Sequence, residues 1–326
     1  MNSQSIFTRP NITRREMLMT TAATVAGVAA LPGSLTAAES DKVTSDKDAG
    51  WIDAHSHIWP PTVDKYPLEP GKTVADLAPP SFTGEELMAI ARPVGVRRVV
   101  LIQHNVYHGF DNSYLVDNWK AHPDRYRVVG MVDSRKPGSG NTMRALHRTG
   151  VTGFRITPSR LGADWLDTPG MAEMWETAAE TGQAMCGLIN PSDLPAFDAM
   201  CRKHPDTPAV IDHFARVGID GKIRKKDLDN LCVIAKHKKT HVKISAYYAL
   251  GKKKPPHDDL VPMIKRLYDT FGPERLMWAS DCPYQLNDGN SYEASISLIT
   301  DRIDFLTESD KQWLLRKTAE NVFSFS

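Results

Sequence analysis

Eight times after residue 50, a short run rich in β-branched residues is followed by an amphipathic stretch, and that alternation leaves few architectures open. The expected strands are 51–58, 96–104, 126–133, 150–158, 183–190, 209–216, 241–248 and 276–284. Several are apolar on both faces, as in Val99-Val100-Leu101-Ile102, which suits a parallel sheet covered on both sides. The intervening segments carry helix punctuation. Thr83-Gly84-Glu85-Glu86 forms a capping box before Leu87-Met88-Ala89-Ile90, and Thr168-Pro169 opens a helix that Gly182 closes. Strict alternation with eight strands predicts an α/β protein, a single (β/α)8 TIM barrel, over an open doubly wound sheet. No glycine-rich nucleotide-binding turn follows the first strand, which weakens the open sheet further. The Pro-, Asp- and Lys-rich stretch 60–80 is expected over the catalytic mouth as a lid or pocket wall.

The barrel accounts for 51–326, and a different logic governs what precedes it. Arg14-Arg15 stands before a mild apolar run from Thr20 to Leu31, and Thr36-Ala37-Ala38 offers small residues for cleavage. This reads as a twin-arginine export signal over 1–38, followed by a polar tether over 39–50. The expected partner is the twin-arginine export machinery, and the expected location is the periplasm. The run is too short and too rich in Ala and Thr for a stable membrane anchor. Removing 1–38 takes away Arg9, Arg14, Arg15 and Glu16, so the formal charge moves from +1 to −1. A near-neutral surface excludes nucleic acid as a partner and leaves a small-molecule substrate. The four cysteines, Cys186, Cys201, Cys232 and Cys282, show no close pairing and are expected as buried free thiols.

Chemistry concentrates where apolar strands meet loops. In Asp53-Ala54-His55-Ser56-His57, side chains two apart share a face, so His55 and His57 converge on the barrel interior. Met277-Trp278-Ala279-Ser280-Asp281-Cys282-Pro283 places Asp281 at the end of the eighth strand, beside the first when a barrel closes. A carboxylate there can deprotonate a water held against the two imidazoles. His213 ends the sixth run after Val210-Ile211-Asp212. Singly, each has a bland reading, a core histidine or a loop cap; three such endings on strands one, six and eight favour an active site.

These motifs resemble those of the amidohydrolase-related branch of the amidohydrolase superfamily, which holds pyrone-dicarboxylate lactonases, fuconolactonases and aminocarboxymuconate-semialdehyde decarboxylases. Gly95-Val96-Arg97-Arg98-Val99-Val100-Leu101-Ile102-Gln103, Gly153-Phe154-Arg155, Val242-Lys243-Ile244-Ser245 and Ala319-Glu320-Asn321-Val322-Phe323 extend the likeness over nearly the whole chain after residue 50. The branch's decarboxylases use a fifth-strand histidine as a metal ligand, whereas here that run ends Gly187-Leu188-Ile189-Asn190. The fourth ends Arg155-Ile156-Thr157-Pro158, with no lysine. The resemblance therefore implies the lactonase subgroup: hydrolysis of a small cyclic ester or related acyl compound, with a carboxylated or sugar-acid lactone as substrate. His55, His57 and Asp281 can supply three ligands to one weakly held divalent ion, zinc first, and metal-independent catalysis stays open.

In that scheme Asp281 is the general base, His55 and His57 hold the metal or polarise the carbonyl, and His213 stabilises the oxyanion. Arg155, assisted by Arg160, would meet a substrate carboxylate, with an ion pair to Asp133 or another rim acid as the alternative. Gln103, His104, His108, Tyr247 and Tyr248 lie at or just past strand ends and are expected to line the pocket. Two other readings remain: a metal-dependent non-oxidative decarboxylase on the same barrel, and a non-catalytic periplasmic binding protein.

Overall fold

The computed structural model describes residues 49–325; the expected export signal and all but the end of the tether lie outside them. Local chemistry sets the elements. Thr83 accepts from the Glu86 amide while Glu86 Oε2 accepts from the Thr83 amide, closing the capping box that starts the helix Gly84–Ala91. Thr168 caps the helix Pro169–Thr181, and Gly182 ends it at φ 74°, a conformation that glycine takes without steric cost.

The strands are β1 (Trp51–Ser56), β2 (Val96–Ile102), β3 (Tyr126–Gly130), β4 (Val151–Ile156), β5 (Ala184–Gly187), β6 (Ala209–Ile211), β7 (Thr240–Ser245) and β8 (Leu276–Ala279). They pair in parallel in chain order from β1 to β8. A parallel bridge between Ser56 and Cys282 closes the ring, with the Asp281 amide on the His55 carbonyl and the His57 amide on the Cys282 carbonyl, each at 2.8 Å. This is the expected TIM barrel. Every expected run continues past the end of its strand, because the apolar pattern persists into rim residues that have left the ladder.

Inside the ring, Ile52, Ala54, Val100, Ile102, Val129, Ala184, Cys186, Val210, Met277 and Ala279 form a closed apolar cluster. Ala319, Val322, Phe323 and Phe325 of the C-terminal segment seal it. Phe323 is wholly buried, and truncating a side chain of that kind to alanine costs about 3–5 kcal/mol. The four cysteines are buried and free, as expected. Among the described residues no helix is long and apolar enough to cross a membrane.

Two features of β1 orient the site. Ile52 and Ala54 point inward, so strict alternation would send His55 and His57 outward. Between the pairs Asp53↔Val99 and Ser56↔Leu101, however, β1 advances three residues against two on β2. That bulge resets the phase and swings both histidines into the barrel. Asp53, left on the other side and wholly buried, accepts from Ser56 Oγ, Ser280 Oγ, Tyr292 Oη and the amides of Ser280 and His55. It thereby pins the end of β1 to the end of β8.

The stretch 60–80 lies along the rim as a wall. Trp59 and Phe82 bridge its two ends, the Glu69 amide bonds the Tyr107 carbonyl at 2.7 Å, and His108 Nδ1 donates to the Pro67 carbonyl at 3.0 Å. Glu69 also takes the guanidinium of Arg160 at 2.5 Å. A cavity of about 360 Å³ beside this contact is lined by Leu68, Glu69, His108, Phe110 and Arg160.

Candidate active site

β1 delivers His55 and His57, the turn after β6 delivers His213, and the residue two past β8 delivers Asp281; all four are buried. The β6 turn is unusual. His213, Phe214, Ala215 and Arg216 stand consecutively at φ 52°, 54°, 51° and 57°, and none is glycine. Each such residue costs roughly 1–2 kcal/mol, so this left-handed turn persists only because surrounding contacts hold it. Asp281, at φ 60°, is the same kind of outlier.

Asp281 sits at the centre. Its Oδ1 lies 3.3 Å from His57 Nε2 and 3.4 Å from His55 Nε2, and it has no hydrogen-bond partner. Its Oδ2 accepts from the Tyr248 hydroxyl at 2.7 Å and lies 3.7 Å from His213 Nε2. Burial pushes the Asp281 pKa up, but His213, His57 and His55 outweigh it and hold the carboxyl well below its ordinary value. The Asp281 carboxyl is therefore ionised at neutral pH.

The partners on the far side of each imidazole decide what its near nitrogen can do. His57 Nδ1 faces the Ile102 carbonyl at 2.9 Å, an acceptor only, so Nδ1 carries the proton and Nε2 of the neutral ring presents a lone pair. His55 Nε2 faces Arg155 Nη2 at 2.7 Å, a donor only, while its Nδ1 lies between Lys243 Nζ at 3.2 Å, also a donor, and Asp212 Oδ1 at 3.5 Å. His213 Nδ1 faces the Ser245 hydroxyl at 2.8 Å, which can donate or accept. Of the three, His213 alone can carry a proton on Nε2 while neutral. Burial pushes His213 down to about 4 and His55 well below its usual value, where Lys243 adds to the effect.

The donor set suits one metal ion. Ligand atoms on a tetrahedral zinc at about 2.0–2.1 Å stand roughly 3.3–3.4 Å apart. The His57 and His55 approaches to Asp281 Oδ1 have that spacing. The orphaned Oδ1 is what a cation would satisfy. The three donor atoms that converge mutually, within 4.8 Å, belong to His55, His213 and Asp281. His213 thus joins His55 and Asp281 as a candidate ligand beside the expected His57, because the left-handed turn folds it over the His55 ring, centroids 4.4 Å apart. Arg155 Nη2 competes for the His55 lone pair, which favours weak binding.

The structure redistributes the expected substrate contacts. Arg155 enters the site but pairs with Asp212 at 3.2 Å, not with Asp133, which takes Arg135 instead. Arg160 is held by Glu69 and lies over the Phe110 ring, so it belongs to the wall. Gln103 is buried and donates to the Gly109 carbonyl, a loop brace rather than a pocket contact. His104 bonds Tyr284 Oη and stacks on Tyr107, behind His57. Tyr247 is wholly buried against Phe214 and His257, whereas Tyr248 reaches Asp281. Ala246 at φ 57° breaks the strand alternation and decides which tyrosine faces in.

Several site residues had no role in the sequence reading. Asp212 and Lys243 are wholly buried and paired at 3.1 Å beneath His55. Their signal was a charge inside an apolar run, as in Val242-Lys243-Ile244. Ser245, Arg216 and Tyr284 gave no comparable signal.

An amidohydrolase family model matches residues 52–325. The 4-sulfomuconolactone hydrolase of Rhizobium radiobacter is 28% identical over 240 residues, which is 72% of this chain and 76% of that protein. The L-fucono-1,5-lactonase of Burkholderia ambifaria is 29% identical over 237 residues, 71% of this chain and 80% of that protein. Among solved structures, a probable 2-pyrone-4,6-dicarboxylic acid hydrolase of Acinetobacter baumannii, crystallised with citric acid bound, superposes with a TM-score of 0.71. It is 20% identical and covers 84% of this chain and 99% of its own, a likeness of fold.

Proposed function

This chain belongs to the amidohydrolase family, and on that footing we propose that it hydrolyses a lactone, with Asp281 as general base. One observation carries the reading: the ionised Asp281 holds Oδ1 without a partner, between two imidazoles, at the mouth of the barrel. The lactone hydrolases among its relatives support the reaction class.

In this mechanism a water bound to Asp281 Oδ1 attacks the lactone carbonyl carbon as its proton passes to Asp281. The tetrahedral oxyanion that forms is met by the Nε2 proton of neutral His213, in the tautomer that Ser245 permits. Collapse breaks the ring C–O bond, and Asp281 returns the proton to the departing alkoxide, leaving a hydroxy acid and restoring the carboxylate. Tyr248 fixes Oδ2, so Oδ1 is the reacting oxygen. Asp212 and Lys243 support the His55 ring from below, both within reach of its Nδ1. A divalent ion, zinc by preference, would be held by His55, His213 and Asp281 with His57 adjacent, and would supply Lewis acidity toward the carbonyl.

The missing fifth-strand histidine weighs against a metal-dependent decarboxylase. A pure binding module would have no use for an unpartnered ionised base. Turnover of a lactone panel, followed as acid release, with elemental analysis of the same preparation, tests the proposal; release of carbon dioxide without lactone hydrolysis would replace it. Export to the periplasm is proposed on Arg14-Arg15 and the run that follows.

A further inference from the structure

Two partners need the same nitrogen, His55 Nε2. It lies on the Asp281 side of the ring, 3.4 Å from Oδ1, and so would ligate an ion held with His213 and Asp281. It also takes the Arg155 Nη2 donor at 2.7 Å. An imidazole nitrogen offers one lone pair. Along that lone pair a zinc ion at about 2.0–2.1 Å and a guanidinium nitrogen at 2.7 Å would overlap, so the two exclude each other. The other ring nitrogen is no substitute, because Nδ1 lies between Lys243 Nζ at 3.2 Å and Asp212 Oδ1 at 3.5 Å.

The fold supplies this guanidinium and balances it. Arg155 is buried on β4, its backbone paired with Cys186 of β5, and its Nη2 also donates to Asp212 Oδ2 at 3.2 Å. Lys243 meets the other Asp212 oxygen at 3.1 Å. Arg155 and Lys243 thus match Asp212 and Asp281 one for one, and a divalent ion added to this buried group would bring two positive charges with no acid left to meet them. The guanidinium is nevertheless not locked in place. Among the described residues every side-chain hydrogen bond of Arg155 runs through Nη2, and its Nε is buried without a partner. Withdrawing the group therefore breaks only the contacts to His55 and Asp212.

We propose that Arg155 is a resident cation that shuts divalent ions out of the site formed by His55, His213 and Asp281. The barrel then has two exclusive states, one with the guanidinium on His55 Nε2 and one with a metal ion there and Arg155 withdrawn. In the first, Asp281 Oδ1 stays open to water; in the second, the ion takes Oδ1 as a ligand. One side chain on β4 decides between them, and an uncharged replacement opens the site to metal. The proposal takes from the lactonase reading only the location of the site; zinc binding is measured without turnover, so either can fail alone.

The test titrates chelator-dialysed protein with zinc against a chromogenic chelator, for wild type, R155M, R155K and R155M combined with D281N. In R155M, Asp212 keeps Lys243 at 3.1 Å, and His55 Nε2 loses its donor. R155M should bind one zinc roughly 10- to 100-fold more tightly than wild type, the scale of a charged hydrogen bond and of groups that act behind a metal ligand. R155K keeps the charge without the planar fork and should gain less. D281N should abolish the gain, which places the ion on Asp281. Zinc should also raise the Tm of R155M more than that of wild type. A merely structural Arg155 would give the opposite sign, with stability and zinc affinity falling together. In wild-type crystals soaked with zinc, an ion at the site should be accompanied by Nη2 out of hydrogen-bond distance of His55 Nε2. A folded R155M with wild-type zinc affinity, a gain that survives D281N, or zinc on His55 Nε2 with Arg155 still bonded to it overturns the proposal. Should R155M fail to fold by circular dichroism, the R155K titration and the wild-type soak decide by the same criteria.

Discussion

Replacing Asp281 by Asn separates chemistry from architecture. The amide oxygen can keep the Tyr248 hydroxyl, now 2.7 Å from Oδ2, which leaves the NH2 where Oδ1 was. There it faces the lone pair of His57 Nε2 at 3.3 Å, so a contact between two acceptors becomes a donor–acceptor pair. The variant also removes an ionised, unpartnered buried oxygen. Stability should therefore change by no more than about 1 kcal/mol, the net worth of one hydrogen bond. Catalysis should suffer far more. Losing a general base costs about 10²–10⁴-fold in kcat, equivalent to about 2.7–5.4 kcal/mol of barrier. The pH profile gives a second readout. Since Asp281 is held well below its ordinary value, its basic form is lost only as pH falls through that lowered pKa. Wild-type activity should consequently show no acid limb from this group between neutrality and about pH 4, near the ordinary carboxylate pKa. The assay is steady-state lactone hydrolysis across pH, with circular dichroism and melting on the same samples. A folded Asp281→Asn that keeps more than about a tenth of wild-type kcat, short of the expected loss, would remove Asp281 as the base.

Tyr248→Phe should lower kcat about tenfold by freeing Oδ2, with KM nearly unchanged; a rise in KM at constant kcat would make Tyr248 a substrate contact instead. Elemental analysis of gently purified protein should find no more than one divalent ion per chain, and two that survive chelator dialysis would contradict the single donor set. Burial lowers His241, at the start of β7, to about 4 from 6.5, so the unfolded chain takes up its proton first as pH falls. Stability should drop across that window by on the order of 3 kcal/mol from this group, and His241→Gln should flatten the slope seen in denaturant melts at pH 7 and pH 4.5. Arg14→Lys with Arg15→Lys should leave precursor in the cytoplasm, and undiminished periplasmic accumulation would refute twin-arginine export.

Strand positions, their parallel order and the rim locations of His55, His57, His213 and Asp281 are all legible in the chain. Hydrophobic period and strand–loop junctions are local properties, and a barrel converts each strand's end into a place on one face. The capping residues Thr83, Thr168 and Gly182 are local for the same reason. What the sequence could not settle is the phase of a side chain past an irregularity. A bulge after Asp53 turns the two histidines inward, and a left-handed Ala246 sends Tyr248 rather than Tyr247 to Asp281. Nor does the order of residues reveal which charge neutralises which. Arg155 meets Asp212 and Arg160 meets Glu69, partners far apart in the chain, while Arg216 reaches Asn190. The left-handed turn from His213 to Arg216 is the extreme case. Four non-glycine residues disfavour it locally, and only the packing of Phe214 and Ala215 into the core, with His213 over His55, stabilises it.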